Sequence, residues 1–201
     1  MLIVVSGPSG VGKGSLIGGF LKQAGDRFFM SVSATTRPPR SGEIDGSDYY
    51  FLSRGQFLEL IEQSQMLEYA EYGGNLYGTP KGAVEREREL GRHVILDIEI
   101  QGAMYLKKLY PEAVFIFILP PSMEELRRRL MDRGTETAED LEQRIAVAEQ
   151  ELTHTHEYDY LLVNDDLEQC IRAFETVVTA ALHSPRHMFG LTDILKREKE
   201  M

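Results

Sequence analysis

Cysteine is almost missing from this chain. Cys170 stands alone among 201 residues, so no intrachain disulfide can form and a disulfide-stapled secreted fold is excluded. Its neighbours Ile171 and Phe174 put it on the apolar side of a helix, as a buried thiol suited to a reducing compartment. Positive charge is scarce as well. Against 32 Asp and Glu there are 22 Lys and Arg, a net charge of -10. That balance repels a phosphate backbone over any long footprint, so nucleic acid is not expected as a partner and clustered arginines need another explanation. No apolar run approaches the roughly 18 residues of a membrane span, and no basic stretch precedes the short apolar start. The expectation is a soluble cytoplasmic protein with no membrane partner. Repeats and low-complexity segments are missing too. His154 and His156 are two apart, point different ways on a helix and make no metal pair. What remains is ordinary globular composition, 42% hydrophobic and 27% charged, enough for one substantial core.

The informative stretch is the first fifteen residues, MLIVVSGPSGVGKGS. Leu2 to Val5 is too short for a helix core and ends at a Gly-Pro sequence, which predicts a fully buried parallel strand. Gly7, Pro8, Ser9, Gly10, Val11, Gly12 and Lys13 then form G-x-x-x-x-G-K. In that pattern backbone N–H groups wrap a polyphosphate and the lysine reaches its outer oxygens. On composition alone roughly one chain in twenty of this length carries the pattern, so context decides. A strand precedes it, and a helical stripe of Leu16, Ile17, Phe20 and Leu21 closed by Gly25 follows, its positive end aimed at the same anion. The magnesium-binding Ser or Thr expected directly after the lysine is replaced by Gly14, with Ser15 one place later. Gly14, Gly18 and Gly19 each cost a helix about 1 kcal/mol relative to Ala, so something other than helix propensity placed them.

Further along, Met30 to Ala34 alternates apolar and hydroxyl residues like a second strand. Thr35-Thr36-Arg37-Pro38-Pro39-Arg40 follows it, a stiff doubly cationic loop with the geometry to grip a phosphate bidentately, or else an ordinary solvated basic loop. A turn at Asp45-Gly46 and the aromatic strand after it suggest antiparallel pieces of an inserted subdomain. Ser53 to Gln56 is a capping box. Leu67 to Thr79 gathers Glu68, Tyr69, Tyr72 and Tyr77 around turn chemistry at Gly73-Gly74-Asn75, which alone suits a site or a wet hairpin equally. Thr79-Pro80 has an ordinary reading as N-cap and first residue of a helix over Lys81 to Leu90. His93 to Ile100 is an apolar strand that suddenly carries Asp97 and Glu99 at its C-terminal end, where parallel sheets place ligands. Ala113 to Leu119 is another buried strand. Beyond it two helices, one capped from Ser122 and one with the stripe Leu141, Ile145, Ala148 and Leu152, flank a polar break with Arg127, Arg128, Arg129, Arg133 and Arg144 nearby. That pair reads as a mobile cover over a phosphate site, or simply as charged helix faces. Tyr160 to Val163 is the last strand, and Asn164-Asp165-Asp166 caps a final helix through Leu182. Strands alternating with helices make an α/β chain with five largely parallel strands and inserts after the second and fourth.

GPSGVGKGS, SVSATTRPPRSGEIDGSDYYF, LEYAEYGGNLYGT, ILDIEIQG and PPSMEELRRRLMDRGTET followed by VNDD together resemble the guanylate kinases, over roughly Leu2 to Leu182, about nine-tenths of the chain. The resemblance implies a P-loop NTPase-type α/β fold: a five-stranded parallel sheet with helices on both faces, an inserted mixed α/β nucleoside-monophosphate subdomain and a helical lid. It divides the single domain into a core (1–32, 91–124 and 155–182), a GMP-binding insert (33–90), a lid region (125–154) and a tail (183–201). It implies transfer of the γ-phosphoryl group of ATP to GMP with Mg2+ as cofactor. Arg37, Arg40, Tyr49 and Tyr77 resemble residues that hold the GMP phosphate, and Ser33, Glu68, Thr79 and Glu99 those around the guanine. Where this chain has Thr79 and Glu99 the family often has Ser and Asp. Gly7 to Ser15 and Asn164 resemble the ATP site, Lys13, Arg129, Arg133 and Arg144 the catalytic cations, and Asp97 with Ser15 an indirect magnesium site. Two readings stand beside this one: a guanylate-kinase-like protein-binding module without turnover, and a P-loop kinase for another small phosphate ester. Monomer or homo-oligomer is left open.

Overall fold

The computed structural model describes residues 1–132 and 138–188. In chain order the elements are β1 (Leu2–Ser6), α1 (Lys13–Ala24), β2 (Phe28–Met30), β3 (Ala34–Thr35), β4 (Tyr50–Phe51), α2 (Arg54–Glu62), β5 (Met66–Tyr72) and β6 (Asn75–Pro80). Then follow α3 (Lys81–Glu89), β7 (His93–Asp97), α4 (Ile100–Leu109), β8 (Val114–Leu119), α5 (Met123–Met131), α6 (Ala138–Leu152), β9 (Tyr160–Val163) and α7 (Leu167–Leu182). The main sheet has five parallel strands in the order β2-β7-β1-β8-β9. β1 lies at its centre, which is why its sequence is apolar without alternation. Ile3 and Val5 point into a layer with Leu16, Ile17, Phe20, Cys170, Ile171 and Phe174 of α1 and α7. Leu2 and Val4 point into the opposite layer, with Val84, Ala103, Leu106, Phe115 and Phe117. Each such buried side chain contributes about 2 kcal/mol, so the strand that launches the glycine loop is held from both sides. Gly19 belongs to this packing, since a Cβ there would lie 2.4 Å from Ile171 Cδ1. Nothing in the structure explains Gly18.

A smaller sheet, ordered β4-β3-β6-β5, forms the insert. β5 and β6 make an antiparallel hairpin whose turn places Gly73 at φ 56° and Gly74 at φ 75°, the left-handed pair that a tight hairpin requires. Ala34, Phe57 and Leu76 are its core. The capping box at α2 is present: Ser53 Oγ accepts from Gln56 N (3.3 Å) and Gln56 Oε1 from Ser53 N (2.9 Å). Expectation and structure part in four places, the first being the strand expected over His93–Ile100, which ends at Asp97 because Glu99 is already the N-cap of α4. The strand expected over Met30–Ala34 is two strands in two sheets. β2 stops at Met30, Ser31 N makes a last bond to Ile95 O (3.0 Å), and Ala34–Thr35 pairs with β6 of the insert. Alternation of residue type cannot register a change of sheet. β4 runs parallel to β3, where antiparallel pieces were expected. Thr79 does not cap α3, because β6 continues through Pro80 and Pro80 takes the cap position.

α5 and α6 pack through Leu126, Leu130, Ile145 and Ala148. Ser122 Oγ caps α5 from Glu125 N, while the Glu125 carboxylate turns to Arg128 and Arg129. Asp166 caps α7. Arg133 and residues 189–201 of the tail lie outside the described residues. Among the described residues no helix is long and apolar enough to cross a membrane.

Candidate active site

The loop after β1 is built for close approach. Gly7 (φ 149°) passes so near β8 that a Cβ would lie 2.4 Å from Ile118 O, and Gly12 (φ 96°), the N-cap of α1, would carry its Cβ 2.6 Å from Asn164 Nδ2. Asn164 is 5% exposed and donates from Nδ2 to Val11 O (2.8 Å), while its own carbonyl accepts from Arg129 Nη1 (2.9 Å). Asn164 and Arg129 therefore sit behind the loop as its support, with Arg129 Nε on Glu125 Oε1 at 2.7 Å. Lys13 Nζ donates to Gly7 O (2.6 Å) and lies 3.7 Å from Asp97 Oδ1. Arg144 reaches over from α6, its Nη1 donating to Ser9 Oγ at 3.1 Å.

A cavity of about 410 Å³ runs from this loop to the insert. Pro8, Ser9, Gly10, Gly12, Lys13, Gly14 and Ser15 line one end, and Ser33, Arg37, Arg40, Tyr49, Glu68 and Tyr77 the other. Asp97 and Glu99 lie between them and Arg144 covers one side. The sequence reading thus named most of the wall. Gly7, Val11, Thr79, Asn164 and Arg129 stand just behind it.

At the insert end, Arg37 lies over the rings of Tyr49 (5.5 Å) and Phe51 (5.8 Å) and donates to Glu43 Oε1 (2.8 Å) and Pro38 O (2.7 Å). The other Glu43 oxygen accepts from Arg40 N at 2.6 Å. Glu43 thus ties together the loop that presents both arginines, a role the sequence reading passed over although the residue lies inside the quoted motif. Its hydrogen bond to Arg37 holds its carboxyl below the usual range. Burial works against the Arg37 charge, but Glu43 and Tyr77 outweigh it and raise the guanidinium. Burial pushes the phenols of Tyr49 and of Tyr72, the hairpin tyrosine that also lines the cavity, up to about 12. Both are neutral hydroxyl donors at neutral pH.

Glu68 is 4% exposed. A register shift between Met66 and Glu68 in β5 turns it inward, opposite Thr79, so that Leu67 and Glu68 are both buried although adjacent. Thr79 Oγ1 donates to Glu68 Oε1 at 2.7 Å, the use of that hydroxyl in place of a helix cap. Burial pushes the Glu68 carboxyl up to about 7. It raises Glu99 and Asp97 as well, with Lys13 pulling both back. Glu151 of α6 is pushed up to about 7 by burial and by Glu99, and its Oε2 is enclosed with no hydrogen-bond partner. No group of three or more His, Cys, Asp or Glu among the described residues could hold a metal. Ser15 and Asp97 nevertheless both line the cavity. That donor set suits a magnesium ion carried mainly by phosphates and waters, which needs only one or two protein oxygens.

Comparison with known proteins agrees with this architecture. The family profile described as Guanylate kinase matches residues 1–181. A guanylate kinase of Desulfitobacterium hafniense is 50% identical over 180 residues, 90% of this chain and 90% of its own. One of Thermus thermophilus is 49% identical over 179 residues, 89% of this chain and 80% of its own. Among solved structures, the crystal structure of guanylate kinase from Anaplasma phagocytophilum superposes with a TM-score of 0.82 at 34% identity, covering 100% of this chain and 96% of that one.

Proposed function

The chain belongs to the guanylate kinase family and phosphorylates GMP, and from that premise we propose that ATP is its phosphoryl donor, with Mg2+, and that the cavity walls divide the work as follows. The single observation that carries the reading is the buried Glu68–Thr79 pair set across the cavity from the glycine loop. The guanine edge presents N1–H and an exocyclic amino group, two donors side by side, and an ionised carboxylate accepts both. Adenine offers neither donor there. Ser33 and Glu99 complete the base end. Arg37, Arg40, Tyr49 and Tyr77 then hold the GMP phosphate, with Arg37 already stiffened by Glu43 and two rings.

At the other end the loop amides from Gly7 to Ser15 cradle the ATP phosphates. Lys13, which rests on the Gly7 carbonyl beside Asp97, turns toward them when they bind. Phosphoryl transfer asks little covalent chemistry of a protein, so alignment and neutralisation of spread negative charge dominate. Lys13 and Arg144 supply neutralisation, as do Arg133 in the lid and Arg129 through the support of the loop. Asp97 and Ser15 would hold magnesium through its water shell, and the ion would supply neutralisation of phosphate charge. Closing α5 and α6 over the cavity excludes water, the competing acceptor. A protein-binding module without turnover would have no use for Lys13, the arginine pair and Arg144 all facing one cavity. A kinase for another phosphate ester would have no use for a buried carboxylate at the base end.

The test is a magnesium-dependent ADP-release assay with ATP as donor and GMP, dGMP, AMP, CMP and UMP offered in parallel. Turnover confined to the guanine nucleotides is expected. Comparable turnover of AMP, or none with any acceptor, would overturn the reading.

A further inference from the structure

Gly102 is the third residue of α4 and is buried. Glycine is a poor helix former, about 1 kcal/mol worse than alanine in a helix interior, though by less in a first turn. Its backbone does not demand glycine either, since it is absent from the residues with positive φ. The space around it gives the reason. A Cβ on Gly102 would lie 2.1 Å from Glu68 Oε2, 2.9 Å from Glu68 Cδ and 3.4 Å from Glu68 Cγ. The carboxylate whose first oxygen is held by Thr79 therefore rests its second oxygen on the bare first turn of α4.

That turn is well suited to receive it. Glu99 is the N-cap of α4 but its side chain makes no capping hydrogen bond, and the first N–H groups of any helix have no acceptor within it. The Glu68 carboxylate, brought in from β5, packs against this turn at Gly102 while Thr79 donates to it. Burial pushes Glu68 up to about 7, and the Thr79 hydrogen bonds pull it back toward the ionised acceptor.

We propose that Gly102 is a specificity-positioning residue: by lacking a side chain it lets Glu68 dock between Thr79 and the first turn of α4, which fixes both carboxylate oxygens for the guanine edge. The proposal rests on the assignment of Glu68 to base recognition. Gly102 itself touches no substrate; it acts through Glu68.

The test is a double-mutant cycle of Gly102→Ala and Glu68→Ala, read by steady-state kinetics with GMP, AMP and ATP and by thermal melting. Gly102→Ala should lower kcat/KM for GMP by roughly tenfold or more, mainly through KM, and shrink the preference for GMP over AMP, with KM for ATP unchanged within about twofold. In the Glu68→Ala background the same substitution should have no further kinetic effect, because the side chain it displaces is gone. There it should raise the melting temperature, as alanine for glycine in a helix does. If Glu68→Ala keeps GMP turnover and selectivity, the base-recognition assignment fails and this proposal with it. If Glu68→Ala is impaired but Gly102→Ala leaves KM and selectivity for GMP intact, or its cost persists in full without Glu68, only the role of Gly102 is overturned. Should Gly102→Ala fail to fold, recovery of folding by adding Glu68→Ala supports the proposal, and failure of both chains contradicts it.

Discussion

The two ends of the cavity read their nucleotides by different means. At the glycine-loop end the recognising groups belong to the backbone, and the loop leans on the main sheet and its flanking elements: Gly7 on Ile118, Gly12 and Val11 on Asn164. At the insert end the recognising groups are side chains, on a small sheet whose core centres on Ala34, Phe57 and Leu76. Backbone amides see charge and geometry but not the identity of a base. Buried carboxylates and hydroxyls see hydrogen-bond polarity, at the cost of keeping ionisable groups out of water. The loop end therefore depends on a few charged side chains, Lys13, Asp97 and Arg144, and on the glycines that bring its backbone close. The insert end is pH-sensitive, and single side chains decide it.

That contrast can be broken by unequal responses. The largest effect is expected from Lys13→Met, which removes the mobile charge of the loop. It should lower kcat by at least about 100-fold with a smaller change in ATP affinity, and a variant with near-normal turnover would contradict the assignment of the loop. Next, Asp97→Asn should cost on the order of tenfold in kcat and raise the magnesium requirement, with Ser15→Ala milder, if both act on the ion through water. Parallel magnesium titrations check this, and a larger loss from Ser15→Ala would show direct ligation instead. A smaller effect sharpens the insert side. Burial raises the Glu68 carboxyl to about 7 and only its ionised form accepts both guanine donors, so binding should strengthen as pH rises. Guanosine, which carries no phosphate to titrate, should bind up to about tenfold more tightly at pH 8 than at pH 6; a flat profile would mean that Glu68 stays ionised throughout. The smallest concerns Glu151, whose folded-state pKa is raised from 4.5 to about 7. Its stability contribution is most favourable below the unfolded value and is lost as pH climbs through the folded one. Glu151→Gln should thus gain on the order of 1 kcal/mol at pH 8 and nothing near pH 4, as read by denaturant unfolding.

Legibility followed the same division. The loop end was readable because its chemistry is local: glycine spacing, the lysine and the preceding apolar strand lie within a few residues. At the insert end the motif stretches marked the right segments, but their joint geometry was hidden. Thr79 looked like a helix cap because the register that pairs it with Glu68 depends on a bulge eleven residues away. Gly102 could be recognised only once α4 and β5 were in contact. The alternation from Met30 to Ala34 passed for one strand because changing sheets leaves the residue pattern intact. Glu151 was not singled out, although it sits three residues beyond Ala148 on the stripe that packs α6, and that position was the available signal.

The separation of the two ends is tested most directly by calorimetric titration of GMP and of ATP into Glu68→Gln and the unaltered protein. Replacing one acceptor oxygen by an NH2 group sets donor against donor in a buried pair. The expected result is a loss of GMP affinity on the order of 100-fold, about 3 kcal/mol, with ATP affinity unchanged within about twofold. Unchanged GMP affinity, or equal losses for both nucleotides, would contradict the account.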